Sequence, residues 1–256
     1  MITFNQIGNH GRLGNQIFQL ASTIGIARKV GHEPKFPRDF DVPQAFKIKE
    51  DLLMDRSQMY GYPRVGERWF HFDSMMFTVT DEVDITGYLQ TEKYFKHVED
   101  EIRGILTFQD SIQEKANSLF PKVDAETVSI HVRRGDYVEK QIHHPLCTPE
   151  YYQAAINEFT DKNYYFVVFS DDQAYCKEFF GIQENILYID NTDPFVDLCL
   201  MSMCDHNIIA NSSFSWWAAW LNRNQNQRVV APKQWFGPAY AYHITDDLYC
   251  ENWITI

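Results

Sequence analysis

Through the second half of the chain, short apolar runs alternate with amphipathic stretches. TVSIHV (127–132), YYFVVFS (164–170), ILYI (186–189), NIIA (207–210) and RVVA (228–231) are brief and rich in β-branched and aromatic residues, which predicts buried strands. Helices are predicted between them. Thr148 with Pro149 and Asp193 with Pro194 read as N-cap and first-turn pairs, a helix after SDD closes at Gly181, and SFSWWAAWLN follows NSS. Repeated strand-helix units imply an α/β protein with a parallel, doubly wound sheet and a ligand crevice at the carboxyl ends of its strands.

The first half is less regular. ITFNQI (2–7) predicts a strand, and beyond the loop GNHGRLG the residues Ile17, Leu20, Ala21, Ile24 and Ala27 keep a helical period that Gly31 closes. Residues 32 to 82 mix Pro, Asp and aromatics without a period, so their order must come from tertiary packing. VDITGYL (83–89) predicts another strand, with two helices after it, the first opening at Thr91. The 256 residues suffice for one large domain or two small ones. FPKVDAE (120–126) is the natural break, dividing the chain into residues 1–124 and 125–256.

Charge narrows the function. With 23 basic against 35 acidic side chains the net charge is −12, which argues against nucleic acid or a broad anionic membrane surface as a partner. An anionic ligand would need a local positive cluster, so adjacent arginines matter in this chain. No apolar run approaches the roughly 20 residues of a membrane span, and MITFNQIGNHG lacks the cationic head and apolar centre of a signal peptide. The five cysteines are odd in number and lack C-x-x-C spacing, which predicts reduced thiols in a cytoplasmic protein.

Three polar clusters follow predicted strands. HVRRGDY (131–137) sets Arg133 and Arg134 beside Gly135, where guanidinium groups can grip phosphate oxygens in pairs; a solvated loop held by an arginine pair to Asp136 is the alternative. NSSFSWW (211–217) places Ser212 and Ser213 at a helix start, whose N–H groups suit phosphate; simple capping above two core tryptophans is the alternative. GNHGRLGNQ (8–16) fits neither G-x-G-x-x-G nor a P-loop, but offers Asn15 and Gln16 as donors. No metal site is expected. Asp39-Phe40-Asp41 is formally D-x-D yet follows no apolar strand, and His143, His144 and Cys147 lack a second ligand pair. G-x-S-x-G and H-E-x-x-H are absent.

Taken in order, GRLGNQIFQLA, GYLQTEKYF, HVRRGDYV, FSDD, HNIIANSSFSWWAAWLN and APKQWF resemble the bacterial α-1,2-fucosyltransferases of glycosyltransferase family 11 over nearly the whole chain. Arg12 departs from the glycine of many members and matches the related protein O-fucosyltransferases, which leaves the acceptor open. The resemblance implies a GT-B fold of two Rossmann-like domains facing a cleft, the first acceptor-side and the second binding GDP-fucose. It implies an inverting transfer of L-fucose from GDP-β-L-fucose to the 2-hydroxyl of a terminal galactoside, without metal or other cofactor. Arg133 is then the essential contact to the donor diphosphate, with His131 and Asp197 near the guanosine and Arg134 also on the donor. Ser212, Ser213 and Phe214 line the phosphate side, and Asn15 approaches the diphosphate or the acceptor. Asp136 is the nearest carboxylate to serve as a base, or else it orients Arg133 or Arg134. The partners implied are a nucleotide sugar and a glycan acceptor, with loose peripheral membrane association through a lipid-linked acceptor. The competing readings are another GDP-sugar transferase with a different acceptor, and a non-catalytic carbohydrate-binding protein using Trp216 and Trp217.

Overall fold

The computed structural model describes residues 1–9, 11–190 and 193–256, so His10 of the 8–16 loop lies outside the described residues. The chain forms two compact units, residues 1–109 with 243–250 and residues 110–242 with 251–256. The division therefore falls at Gln109 rather than near residue 124. The reason is local: the helix at 110–119 belongs to the second unit, where Lys115 pairs with Asp193 at 3.8 Å and Gln113 Nε2 donates to Met203 Sδ at 3.4 Å.

In the first unit, β1 (Ile2–Thr3), α1 (Leu13–Val30), β2 (Pro34–Pro37), α2 (Val42–Ala45), β3 (Leu53–Met54), β4 (Arg64–Gly66), β5 (Val83–Thr86) and α3 (Glu99–Ile105) follow in order. Its sheet runs β3-β2-β1-β5-β4 with every pair parallel. The strand expected over 2–7 shortens to β1 and that over 83–89 to β5, because in each case the chain turns off to build a loop. Thr91 opens a single 3₁₀ turn, Glu92–Tyr94, and not an α-helix. The apolar period of α1 holds, yet Gln16, Gln19, Ser22 and Thr23 are also buried, so the helix is enclosed on nearly every side. Buried polar side chains need partners. Gln16 Nε2 donates to Asp41 Oδ2 at 2.8 Å, Gln19 Nε2 to Gly87 O at 3.3 Å and Ser22 Oγ to Leu89 O at 2.9 Å. The first bond ties the segment before α2 to the helix, and the other two fasten the loop after β5 to it.

The second unit contains α4 (Asp110–Leu119), β6 (Glu126–Val132), α5 (Pro149–Asn157), β7 (Tyr164–Ser170), α6 (Gln173–Phe180), β8 (Ile186–Tyr188), α7 (Pro194–Met203), β9 (His206–Ile208), α8 (Ser213–Leu221), β10 (Val229–Ala231) and β11 (Ile254–Thr255). The parallel sheet has the order β11-β10-β9-β6-β7-β8. Predicted caps form: Thr148 Oγ1 accepts from Tyr151 N at 3.3 Å, and the Asp193 carboxylate from Phe195 N and Val196 N. Val128, Ile130, Val168, Ile208 and Val230 are fully enclosed with Tyr152 and Cys176. Each such aliphatic side chain contributes about 1.5–3 kcal/mol relative to exposure. β6 lies between β7 and β9, so the residues just beyond it stand among the carboxyl ends of three neighbouring strands.

Candidate functional site

In the second unit the register pairs Val132 with Ser170, which sets the turn beginning at Arg133 beside Asp171 and Asp172. Asp171 organises that turn. Its Oδ1 accepts the backbone N–H of Arg134 at 2.9 Å and of Gly135 at 3.1 Å, while Oδ2 pairs with Arg133 Nη1. Gly135 has φ +21°, and any Cβ there would run into the Asp171 carboxylate. Only glycine lets the acid close on the turn.

Asp136 pairs with Arg133 Nη2, so the guanidinium is gripped from two directions. The other Asp136 oxygen pairs with Lys140 at 3.1 Å. With a cation on each oxygen, Asp136 has the geometry of a group that orients Arg133. Arg133 also lies 5.2 Å from the Tyr137 ring centroid. Arg134 is held otherwise: Nε donates to Asp172 Oδ2 at 2.9 Å and the guanidinium stacks 3.8 Å from the Tyr175 centroid, tying the turn to α6. That hydrogen bond holds the Asp172 carboxyl below its ordinary range. Asp172 caps α6 as well, accepting from Tyr175 N at 3.1 Å.

His131, the penultimate residue of β6, is buried, and its Nδ1 lies 2.8 Å from Ser215 Oγ. Burial, reinforced by the charge of Arg133, pushes its pKa down to about 4, so the ring is neutral near pH 7. The Ser215 hydroxyl donates to Ser212 O at 3.3 Å. Phe214 packs on the ring with centroids 5.7 Å apart. Ser212 caps α8 through a 3.4 Å bond from Phe214 N, with Ser213 as the first helical residue. The structure thus groups His131, Ser212, Phe214 and Ser215, and separately Arg133, Asp136 and Asp171, at the ends of β6, β7 and β9. Asp197 stands in the first turn of α7. Trp216 and Trp217 are buried, so neither offers a ring face to a sugar, and the lectin reading loses its platform.

In the first unit, Asn15 on α1 accepts a 2.7 Å bond at Oδ1 from Gln90 Nε2. Gln90 ends the Gly87–Gln90 loop, whose Tyr88 and Leu89 N–H groups donate to Glu67 Oε1 at 2.7 and 3.0 Å. Asp39 is taken by Arg56 at 2.9 Å and Asp41 by Gln16, so the D-x-D carboxylates serve as structural partners. His143 and His144 pack against Tyr240 while the Cys147 thiol donates to Asn211 Oδ1 at 3.5 Å. Among the described residues no three His, Cys, Asp or Glu side chains are placed to hold a metal ion.

Asp171 and Glu67 are among the residues of these arrangements that the candidates read off the sequence do not include. The FSDD motif carried the signal for Asp171, since acids at a strand end beside paired arginines invite pairing. Glu67 carried none, because the flanking Gly66 and Arg68 give no hint of burial.

The sequence pattern of glycosyl transferase family 11 matches residues 1–256. The chain belongs to glycosyltransferase family 11. Among its relatives, the Escherichia coli α-1,2-colitosyltransferase is 31% identical over 88% of this chain and 90% of that protein. The mouse galactoside 2-α-L-fucosyltransferase Sec1 is 25% identical over 96% of this chain and 72% of its own length. The crystal structure of the Bradyrhizobium fucosyltransferase NodZ shares the fold, with a TM-score of 0.57 at 13% identity over 85% of this chain and 92% of that one. The family 11 chain is thus a glycosyltransferase of GT-B type with parallel-sheet units, as its motifs led one to expect. Arg133 and Arg134 sit on the turn at the carboxyl end of β6, the end of a strand at which parallel sheets bind ligands.

Proposed function

We propose that this family 11 enzyme moves L-fucose from GDP-β-L-fucose to the 2-hydroxyl of a terminal galactoside, with inversion at the anomeric carbon. The observation that carries the reading is Arg133, a guanidinium held by Asp136 and Asp171 at the end of a central parallel strand. As the bond from sugar to phosphate breaks, charge builds on the β-phosphate of GDP. A permanently charged fork fixed beforehand stabilises that charge without reorganising. Ser212 and Ser213 at the start of α8 add hydroxyl and N–H donors at the same strand ends. The neutral His131 suits a hydrogen bond to the guanosine, and Asp197 is assigned to the same half of the donor. Asn15 acts on the diphosphate or the acceptor. Arg134 supports the turn through Asp172 and Tyr175, and Asp136 orients Arg133.

The charge-stabilising work falls to Arg133, so no metal ion or other cofactor is required. The reduced cysteines suit a cytoplasmic location. Among the described residues no helix is long and apolar enough to cross a membrane; a lipid-linked glycan would bring the enzyme to a membrane periphery through its substrate. The names of the E. coli and mouse relatives support the α-1,2 linkage, and the former favours a second reading in which the donor sugar is colitose.

Purified protein with GDP-fucose and a panel of β-galactosides, in excess EDTA, should yield an α-1,2-fucosylated product, and calorimetry should show GDP binding. Transfer from GDP-colitose alone would select the second reading. Activity that EDTA abolishes and Mn²⁺ restores would overturn the arginine-based scheme.

A further inference from the structure

Glu67 is the most unusual carboxylate in the first unit. It follows β4, and its Oε1 is latched by the backbone N–H groups of Tyr88 and Leu89. The fit is close: a Cβ on Gly87 would lie 2.9 to 3.1 Å from the Glu67 side chain. Leu89 holds a φ of +52°, a left-handed conformation that costs a non-glycine residue energy. The loop is fastened on its far side by Gln19 to Gly87 O, Ser22 to Leu89 O and Gln90 to Asn15. All this construction fixes one oxygen of Glu67. The other, Oε2, is buried and has no hydrogen-bond partner among the described residues.

A carboxylate with one oxygen latched and the other unsatisfied is stable when protonated and poorly stable when charged. Burial, with help from the Asp73 charge, raises the Glu67 pKa to about 7, against the pull of the two N–H groups. The titratable groups that face it do not change charge near neutrality. Asp73 is held down to about 2 by its Arg68 hydrogen bond, and burial pushes the Tyr94 phenol well above its usual range. The polar side chains that α1 sends to the loop, Gln19 and Ser22, carry no charge. Near pH 7 Glu67 alone in this cluster changes state. When charged, Oε2 lacks a donor, and the loop that covers it carries Tyr88, an exposed ring, and Gln90 beside Asn15.

We propose that Glu67 Oε2 receives a hydroxyl of the acceptor sugar, which makes Glu67 an acceptor-binding residue and the Gly87–Gln90 loop the wall of its subsite. The inference rests on the galactoside-acceptor reading. A donor hydroxyl favours the ionised carboxylate, so acceptor binding releases a proton when Glu67 starts protonated. Affinity for the acceptor rises with pH up to about 7 and then levels.

The test uses the full-length enzyme saturated with GDP, methyl β-galactoside and its monodeoxy analogues. Glu67→Gln keeps an oxygen for the two N–H groups but puts an amide N–H₂ in place of Oε2, and should weaken galactoside binding on the order of tenfold with GDP affinity unchanged. One deoxy analogue should bind the wild type about tenfold more weakly yet bind Glu67→Gln no worse than the parent sugar does. Calorimetry at pH 6.5 in two buffers of different ionisation enthalpy should show proton release from the wild type, a measurement that needs no variant to fold. If the wild type releases no proton, or if every deoxy analogue loses equally in both proteins, the assignment of Glu67 is overturned while fucosyl transfer stands. If no galactoside binds or accepts fucose, the acceptor reading itself fails, and the assignment with it.

Discussion

Arg133 is held before any substrate arrives, and the manner of holding predicts what a substitution does. Asp136 and Asp171 take different guanidinium nitrogens, so the plane of the group is fixed and its charge is partly balanced in advance. Lysine keeps the charge but has no plane to hold and no pair of parallel donors. Arg133→Lys should therefore stay folded by circular dichroism yet lose roughly 10² to 10³-fold in turnover, with a smaller change in GDP affinity. A folded Arg133→Lys enzyme with near-normal transfer would remove Arg133 from the mechanism. Arg134 is not interchangeable with it, since stacking on Tyr175 and pairing with Asp172 commit it to the turn. HVRRGDY put the two arginines side by side in the sequence. The difference between them arises from acids some 37 or 38 positions away that register with β7 brings near.

At the scale of elements, the turn after β6 works as one piece because Asp171 closes it and Gly135 permits the closure. Gly135→Ala adds a methyl where the carboxylate sits and forces a positive φ on a residue with a Cβ. The turn should open and GDP affinity should fall by tenfold or more, while far-ultraviolet circular dichroism stays unchanged because the sheet core lies elsewhere. Full GDP affinity in that variant would show that the closed turn is dispensable. How far such elements can be read from sequence depends on length. The seven-residue β6 and β7 are long apolar runs and were legible, as were the capped helices α5 and α7. β1 was read from ITFNQI, though longer than it is, whereas β3 has two residues and β2 is Pro-Lys-Phe-Pro, too short or too proline-rich for any period to register. β11, two residues near the chain end, is hidden for the same reason. The loop after β5 and Glu67 were illegible because their conformation is imposed by partners on α1 and β4, and not by local propensity.

For the molecule as a whole, Glu67 sets a pH dependence of stability with a definite sign. Its folded pKa of about 7 lies above the ordinary glutamate value of 4.5, so the unfolded chain loses the proton first. Stability from this group is intact below pH 4.5, declines as pH rises to about 7, and is constant beyond. The total is on the order of 3 kcal/mol at most, at about 1.4 kcal/mol per pH unit. Glu67→Gln removes the effect, so its melting temperature should gain on that of the wild type by ~5 °C between pH 5 and pH 8. A difference independent of pH would mean that Glu67 is ionised without cost. The path of the chain sets another condition. Residues 243–250 return to the first unit, where His243 packs on Phe70 with centroids 5.1 Å apart, Asp247 accepts from Phe72 N at 3.1 Å and pairs with Lys93, and Leu248 is buried. The first unit thus receives its last piece only after residues 110–242 of the second have been made. Until then Phe70 and Phe72 lack part of their cover, and a nascent chain stalled before Leu248 would offer that uncovered apolar surface to chaperones and proteases.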